Sequence, residues 1–232
     1  MNRALDVASS LGATLVRGGL AASVGTLGAR PEQPLELWEF EGCPYCRKVR
    51  EALSILDLEV QVWPCPKGGP RFRVELAKKA GKAQFPYLAD PNTDKAMYES
   101  DDIIRYLFDT YGKGSVPWLL AAGVLGDLSS TLASAFRPSV GIRYRPAHAP
   151  ARPLELWSFE ASPFCRIVRE ALCTLELPYL LHNVAKGSPG RKAFIARSGK
   201  MMVPWLSDPN TGTELFESAD IVTYLEQTYA RR

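Results

Sequence analysis

The sequence predicts an α/β fold built twice over. Three observations carry that prediction. The chain of 232 residues is long enough for two ordinary domains. It contains an internal repeat, and each copy alternates short apolar stretches with helical ones in the order β-α-β-α-β-β-α. Pro34-Leu-Glu-Leu-Trp38 recurs as Pro153-Leu-Glu-Leu-Trp157. The same offset carries Cys43-Pro-Tyr-Cys46 onto Ser162-Pro-Phe-Cys165 and Val49-Arg-Glu-Ala-Leu53 onto Val168-Arg-Glu-Ala-Leu172. One residue drops out before Phe85-Pro86 meets Val203-Pro204. Asp90-Pro-Asn-Thr93 then meets Asp208-Pro-Asn-Thr211, and Glu99-Ser100 meets Glu217-Ser218. Order, spacing and identity agree, which is the mark of a tandem duplication.

The elements follow in order. Ala4 to Val24 is small, apolar and acid-poor, and reads as a helix covering a sheet or an interface; its arginines also fit the remnant of a targeting segment. Leu35 to Phe40 is short, apolar and aromatic, as a buried strand is. From Pro44 to Leu58, Val49, Ala52, Leu53 and Leu56 recur at i, i+3, i+4 and i+7, a helix with proline in its first turn. Glu59 to Trp63 suits a second strand, broken by Pro64 and Pro66-Lys-Gly-Gly-Pro70. Val74 to Lys79 is a short helix that ends at Gly81. Tyr87 to Ala89 and Lys95 to Tyr98 form a hairpin around the turn-forming Asp90-Pro-Asn-Thr93. Ser100 is placed to cap a last helix, with Asp101 and Asp102 in its first turn and Ile103, Ile104, Leu107 and Tyr111 inward. Val116 to Phe136 repeats the character of the first lead, and a proline-rich segment (Pro138, Pro146, Pro150, Pro153) follows it. Asp127 at its centre argues against a membrane span, at a cost of about 3 kcal/mol. The expected organisation is 1–33 as a leading helix or targeting remnant, 34–112 as the first domain, 113–152 as a helical linker and 153–232 as the second domain.

Composition narrows the function. Hydrophobic residues make up 46% and charged residues 23%, the balance of a globular chain rather than a disordered one. A net charge of +3 lacks the excess of a dedicated nucleic-acid binder. His148 and His182 lie far apart, so neither a histidine-rich metal site nor a Ser-His-Asp triad is expected. Five unevenly spaced cysteines do not make a disulfide-stapled secreted fold, which points to the inside of a cell.

The chemistry gathers at Cys43-Pro-Tyr-Cys46, at a strand-to-helix junction. A thiol there meets unpaired backbone N–H groups and the positive end of the helix dipole, both of which favour thiolate. The spacing lets Cys46, one turn into the helix, attack a mixed disulfide formed on Cys43. The alternatives are half a zinc site, for which no further ligand pair is evident, and a purely structural pair of thiols.

Cys-Pro-Tyr-Cys in such a unit resembles a glutaredoxin active site. Pro86 with Glu99-Ser100 resembles the glutathione-binding, thioredoxin-like domain at the N-terminus of glutathione transferases. The likeness covers about residues 34–112 and 153–230 and is similar to duplicated proteins of photosynthetic organisms. It implies two tandem thioredoxin-like domains, each a four-stranded mixed sheet with flanking helices and an extra helix in front. It also implies glutathione as cosubstrate, no metal, and Cys43 as the nucleophile toward a glutathione mixed disulfide or a protein disulfide. Pro86 would be a cis-proline presenting the backbone of Phe85 to the cysteinyl part of glutathione. Glu99 and Ser100 would hold its γ-glutamyl group. Lys67 and Arg71 are candidates for its glycyl carboxylate. Val203, Pro204, Glu217 and Ser218 repeat the cradle. A chloroplast location is implied by the resemblance alone; otherwise the cytoplasm is expected.

Two departures matter. The approach to Cys43 is Glu39-Phe40-Glu41-Gly42, and carboxylates near a thiol raise its pKa. Arg47 and Lys48 are placed either to compensate or to face water. In the second copy Ser162 replaces the first cysteine, so Cys165 has no partner for a dithiol cycle, while serine there resembles serine-type transferases. The leading expectation is a glutathione-dependent thiol–disulfide oxidoreductase whose second domain binds glutathione or a partner. The alternatives are a transferase-like activity using Ser162, which lacks an evident wall for an electrophile, and a non-catalytic module in which the two folds pack as an intrachain pseudo-dimer. Iron–sulfur ligation by Cys43 is a minor fourth. Cys65 and Cys173 are expected to be structural.

Overall fold

A computed structural model describes residues 3–135, 137 and 140–231, apart from the side chain of Val124. The Phe136 end of the second lead stretch, Pro138 of the proline-rich segment, Ser139 and the terminal Met1, Asn2 and Arg232 lie outside the described residues. The chain runs α1 (Arg3–Val16), β1 (Leu35–Glu39), α2 (Pro44–Ile55), β2 (Val60–Pro64), α3 (Phe72–Ala80), β3 (Tyr87–Asp90), β4 (Lys95–Met97) and α4 (Ser100–Tyr111). It continues through α5 (Trp118–Ala121), α6 (Val124–Ala135), β5 (Leu154–Ser158), α7 (Pro163–Thr174), β6 (Tyr179–Asn183), α8 (Arg191–Ser198), β7 (Trp205–Asp208), β8 (Thr213–Phe216) and α9 (Ser218–Tyr229).

Each unit is the expected four-stranded mixed sheet. β1 and β2 pair in parallel through the crossover helix α2, while β3 and β4 add antiparallel as a hairpin; β5 to β8 do the same. Pro44 opens α2, Val49, Ala52, Leu53 and Leu56 are fully buried, and Gly81 ends α3 in the left-handed region at φ 78°. The turn aspartate does more than turn the chain. Asp90 accepts hydrogen bonds from the Tyr106 and Tyr111 hydroxyls, both at 2.5 Å, and Asp208 accepts from Tyr224 and Tyr229 at 2.6 and 2.5 Å. Ser100 corrects the expected cap: it is the first helical residue of α4, and Glu99 occupies the cap position without a side-chain bond.

The two sheets are one. β2 pairs antiparallel with β6, giving the order β4-β3-β1-β2-β6-β5-β7-β8. Val60 faces Leu181 and Val62 faces Tyr179, so repeat-related residues exchange places across the seam, as in an isologous interface. One apolar core spans both copies, with an aromatic cluster under α3 (Trp38, Phe72, Tyr87) and another under α8 (Trp157, Phe194, Trp205).

The lead helices cross over. α1 packs on α7 of the second unit, α6 packs on α2 of the first, and α1 and α6 pack on each other. Ser10 donates to the carbonyl of Pro163 at 2.9 Å, and its counterpart Ser130 to that of Pro44 at 2.6 Å. Their outward faces carry Leu5, Leu11, Leu15, Leu125, Leu128 and Leu132. Among the described residues no helix is long and apolar enough to cross a membrane.

Candidate functional site

The sheet register collects the sequence-predicted residues at one end of each unit. Trp38 pairs with Tyr87, so Pro86 stands opposite Glu39, a short turn before Cys43. Antiparallel β4 leaves the sheet at the same end, because Met97 pairs with Leu88, and Glu99-Ser100 follows directly. Trp157 pairs with Trp205 and Leu206 with Leu215, which places Pro204 and Glu217-Ser218 beside Ser162 by the same logic.

Cys43 is the N-cap of α2, and its Sγ accepts the Cys46 backbone N–H at 3.3 Å. The thiol is held below its ordinary pKa, chiefly by a hydrogen bond from the Cys46 thiol. Burial opposes this, the Cys46 amide assists it, and Glu39 and Arg50 act in opposite directions. Cys46 is pushed well above its ordinary value by burial and by its role as donor to Cys43. The approaching carboxylates do not face the thiol bare. Arg50 bonds Glu39, and Glu41 accepts from Arg169 of the other unit at 3.1 and 3.2 Å. Burial still raises Glu39 to about 7. Access is narrow, since Cys43 is 4% exposed and Cys46 is fully buried.

Arg47 and Lys48 do not face water. Lys48 bonds Asp101 at 2.5 Å and Asp127 at 2.7 Å, and the Arg47 guanidinium lies 3.7 Å from Glu160. The lead helix and the second unit cover the α2 face that would have been solvated in an isolated domain.

The Phe85–Pro86 and Val203–Pro204 bonds are cis. Glu99 and Glu217 hold φ of 66° and 65°, a conformation costly for a glutamate and repeated in both copies. Gln84 donates to the Glu99 carboxylate at 2.5 Å; Met202 replaces it in the second unit, where Glu217 lies 3.8 Å from Arg3. Val203, Pro204, Glu217 and Ser218 line a cleft of about 270 Å³ together with Phe164 and Met202, whereas Ser162 is not part of that lining. Ser162 is the N-cap of α7, its Oγ accepting the Cys165 N–H at 3.2 Å, and it is 5% exposed.

Arg71 is drawn away from the cradle to Glu176 and the end of α7, while Lys67 is exposed. The basic group beside Phe85 is one the sequence did not single out: Arg73, 4.6 Å above the Phe85 ring and 5.6 Å from that of Phe40. Its signal was its place two residues after Arg71, at the start of a helix. Cys65 donates to the carbonyl of Trp63, and Cys173 lies between Glu41 and Gly141; burial pushes both thiols well up, in keeping with structural roles. Among the described residues no group of three or more His, Cys, Asp or Glu side chains could hold a metal ion.

The family model of the glutathione S-transferase N-terminal domain matches residues 37–115 and again 156–232. Among solved structures, the Bombyx mori glutathione transferase BmGSTD1 in complex with GTT is 25% identical over 40% of this chain and 45% of its own, with a TM-score of 0.33. Salmonella typhimurium glutaredoxin 2 in complex with glutathione is 20% identical over 41% and 46%, with a TM-score of 0.28. Leishmania TDR1, a trimeric glutathione transferase, is 13% identical over 86% and 68%, with a TM-score of 0.31. The chain thus spans less than half the length of the first two relatives. No curated protein matches it.

Proposed function

The chain belongs to the glutathione S-transferase N-terminal domain family, as two tandem thioredoxin-like domains, and from that premise we propose that it is a glutathione-dependent thiol–disulfide oxidoreductase. Cys43 acts as nucleophile and Cys46 as resolving thiol. The observation that supports this reading best is the opposed environment of the two sulfurs, one held down as the acceptor and the other pushed up as the donor. The Cys43 thiolate attacks the glutathione sulfur of a glutathionylated protein, and the protein leaves as a thiolate that takes a proton from water. A second glutathione thiolate then attacks the Cys43-bound glutathione sulfur, forming oxidised glutathione and restoring the Cys43 thiolate. With a protein disulfide, Cys46 displaces the protein from Cys43 and closes the Cys43–Cys46 disulfide. Two glutathiones then reduce that bond, and they become one oxidised glutathione.

In this reading Phe85 and Pro86 align the cysteinyl backbone of glutathione, and Glu99 and Ser100 hold its γ-glutamyl group. Val203, Pro204, Glu217 and Ser218 form a second cradle, and the cleft there favours glutathione binding without dithiol exchange, since Ser162 cannot form a disulfide. A transferase-like role for the Ser162 hydroxyl is the second reading, supported by its N-cap position beside that cleft. The joined units work as an intrachain pseudo-dimer.

Reduction of a glutathionylated peptide tests the proposal. Cys43→Ser is expected to fall to the uncatalysed rate, while Cys46→Ser keeps the monothiol reaction. A Cys43→Ser protein that turns over at the wild-type rate refutes it.

A further inference from the structure

The two copies differ where one residue is lost between them. After β2 the first copy runs Gly68-Gly69-Pro70-Arg71-Phe72-Arg73; after β6 the second runs Gly187-Ser188-Pro189-Gly190-Arg191. Arg73 and Arg191 are structural equivalents, since the Nε of Arg73 donates to the carbonyl of Cys65 at 2.9 Å and that of Arg191 to the carbonyl of Val184 at 3.1 Å. Gly190 therefore stands alone where the first copy has both Arg71 and Phe72.

Those two residues have defined work in the first copy. Arg71 Nε donates to Glu176 Oε2 at 3.0 Å, and its Nη2 donates to the carbonyls of Leu175 and Glu176 at 3.1 and 2.7 Å. The amides of Arg71 and Phe72 fill Glu176 Oε1 at 3.1 and 3.2 Å, and the Phe72 ring lies 5.1 Å from that of Trp63. The repeat-mate of Glu176 is Asp57, left-handed like it (φ 51° and 53°), and the mate of Trp63 is the smaller His182.

The second copy is consequently open. A cleft of about 300 Å³ lies between the units, lined among others by Asp57, Glu59, Trp157, His182, Gly190 and Arg197. It is about twice the size of an apolar cavity that takes up benzene. One side is aromatic: the His182 ring stacks face to face on Trp157 at 4.1 Å and 18°, and the Arg197 guanidinium lies 4.7 Å over the Trp157 ring. Arg30 supplies the carbonyl cap that Arg71 supplies opposite, donating to Leu56 at 2.8 Å and Asp57 at 3.0 Å. Among the described residues Asp57 Oδ1 and His182 Nε2 are nevertheless buried without a hydrogen-bond partner, the nearest carboxylate to His182 Nε2 being Glu155 at 3.6 Å.

We propose that this cleft binds a small planar cation, an aryl amidinium or guanidinium, in the place that the Phe72 ring and the Arg71 guanidinium occupy in the first copy. The aryl group lies against the His182 ring, as Phe72 lies against Trp63 in the first copy, and its N–H donors reach the free oxygen of Asp57. Positive neighbours do not exclude it. Arg197 is paired with Glu155 at 3.1 Å, and Arg191 occupies the place that Arg73 occupies near Arg71. Arg30 is engaged with the two carbonyls. The site is separate from the cysteine motif and does not depend on the proposed redox activity.

Benzamidine is the probe, titrated into the full chain by calorimetry, with uncharged benzamide as its isostere. Two variants are suited to the test because each fits its backbone. Asparagine tolerates the left-handed position of Asp57, and Gly190 is helical (φ −65°) with only Ser188 Oγ, at 3.3 Å, near an added Cβ. Benzamidine is expected to bind the wild type, about tenfold more weakly to Asp57→Asn, and not at all to Gly190→Arg, which refills the space. Benzamide is expected to bind about tenfold more weakly than benzamidine. No binding at millimolar benzamidine, equal binding of benzamide, or binding untouched by Gly190→Arg would each overturn the assignment.

Discussion

At the scale of single residues, the acidity of Cys43 rests first on the Cys46 thiol and only then on backbone and charge. Cys46→Ala is therefore expected to move the Cys43 titration midpoint up, toward an ordinary thiol, in the pH dependence of iodoacetamide alkylation. An unchanged midpoint would show that the helix terminus alone sets it. Glu39 makes a second, opposite statement about pH. Burial raises its folded-state pKa from an ordinary 4.5 to about 7, so between those values the folded chain holds a proton that the unfolded chain has released. Stability from this group falls as pH rises through that window. Glu39→Gln is expected to flatten that part of the urea-midpoint profile, and parallel profiles would reject the assignment. The thiol pair and the acids before it were legible from Cys43, Cys46, Glu39 and Glu41. Their net effect was not, because Arg50 and Arg169 reach those acids from positions that no local pattern ties to them.

At the scale of elements, the lead helices are the instructive case. Their apolar character and equal distance from the strands were readable, and so was their role as covers. Their crossing was not, because a helical apolar face states that it must be buried but not against which of two nearly identical helices. The serine bonds make the crossing testable. Ser10→Ala removes a bond to the start of α7 and is expected to cost about 1 kcal/mol. Hydrogen exchange should quicken at the start of α7 and not at the start of α2; the reverse pattern would place α1 on its own unit.

At the scale of the whole molecule, the seam combines a strand pair with buried charge. Glu160 lies 3.1 Å from Arg50 Nε and 2.7 Å from Arg169 Nη2, and the repeat-mate Glu41 meets the same two arginines. Those arginines hold the Glu160 carboxyl down at about 2 against the penalty of burial. Its contribution is thus present above the ordinary carboxylate range and is lost as pH falls from about 4.5 toward about 2. Glu160→Gln leaves buried guanidinium groups under-compensated and is expected to cost about 3–5 kcal/mol in urea unfolding near neutral pH. The loss should shrink in acid, and a pH-independent loss would mean that packing alone is responsible. The continuous sheet and shared core predict that both units melt together in this experiment.

The sequence by itself determined the duplication, the order of strands and helices within each copy, and the gathering of Cys43, Pro86 and Glu99-Ser100 at one end. The first two follow from local periodicity, turn chemistry and the repeat, and the third from the resemblance to glutathione-binding domains. Only the tertiary structure decided that β2 and β6 join the copies, that the lead helices cross, and that Arg47 and Lys48 are buried. The physical reason is the same in each case. A repeat doubles every edge, face and charge, so local sequence offers several equivalent partners, and the choice among them is made by simultaneous burial of surfaces far apart in the chain.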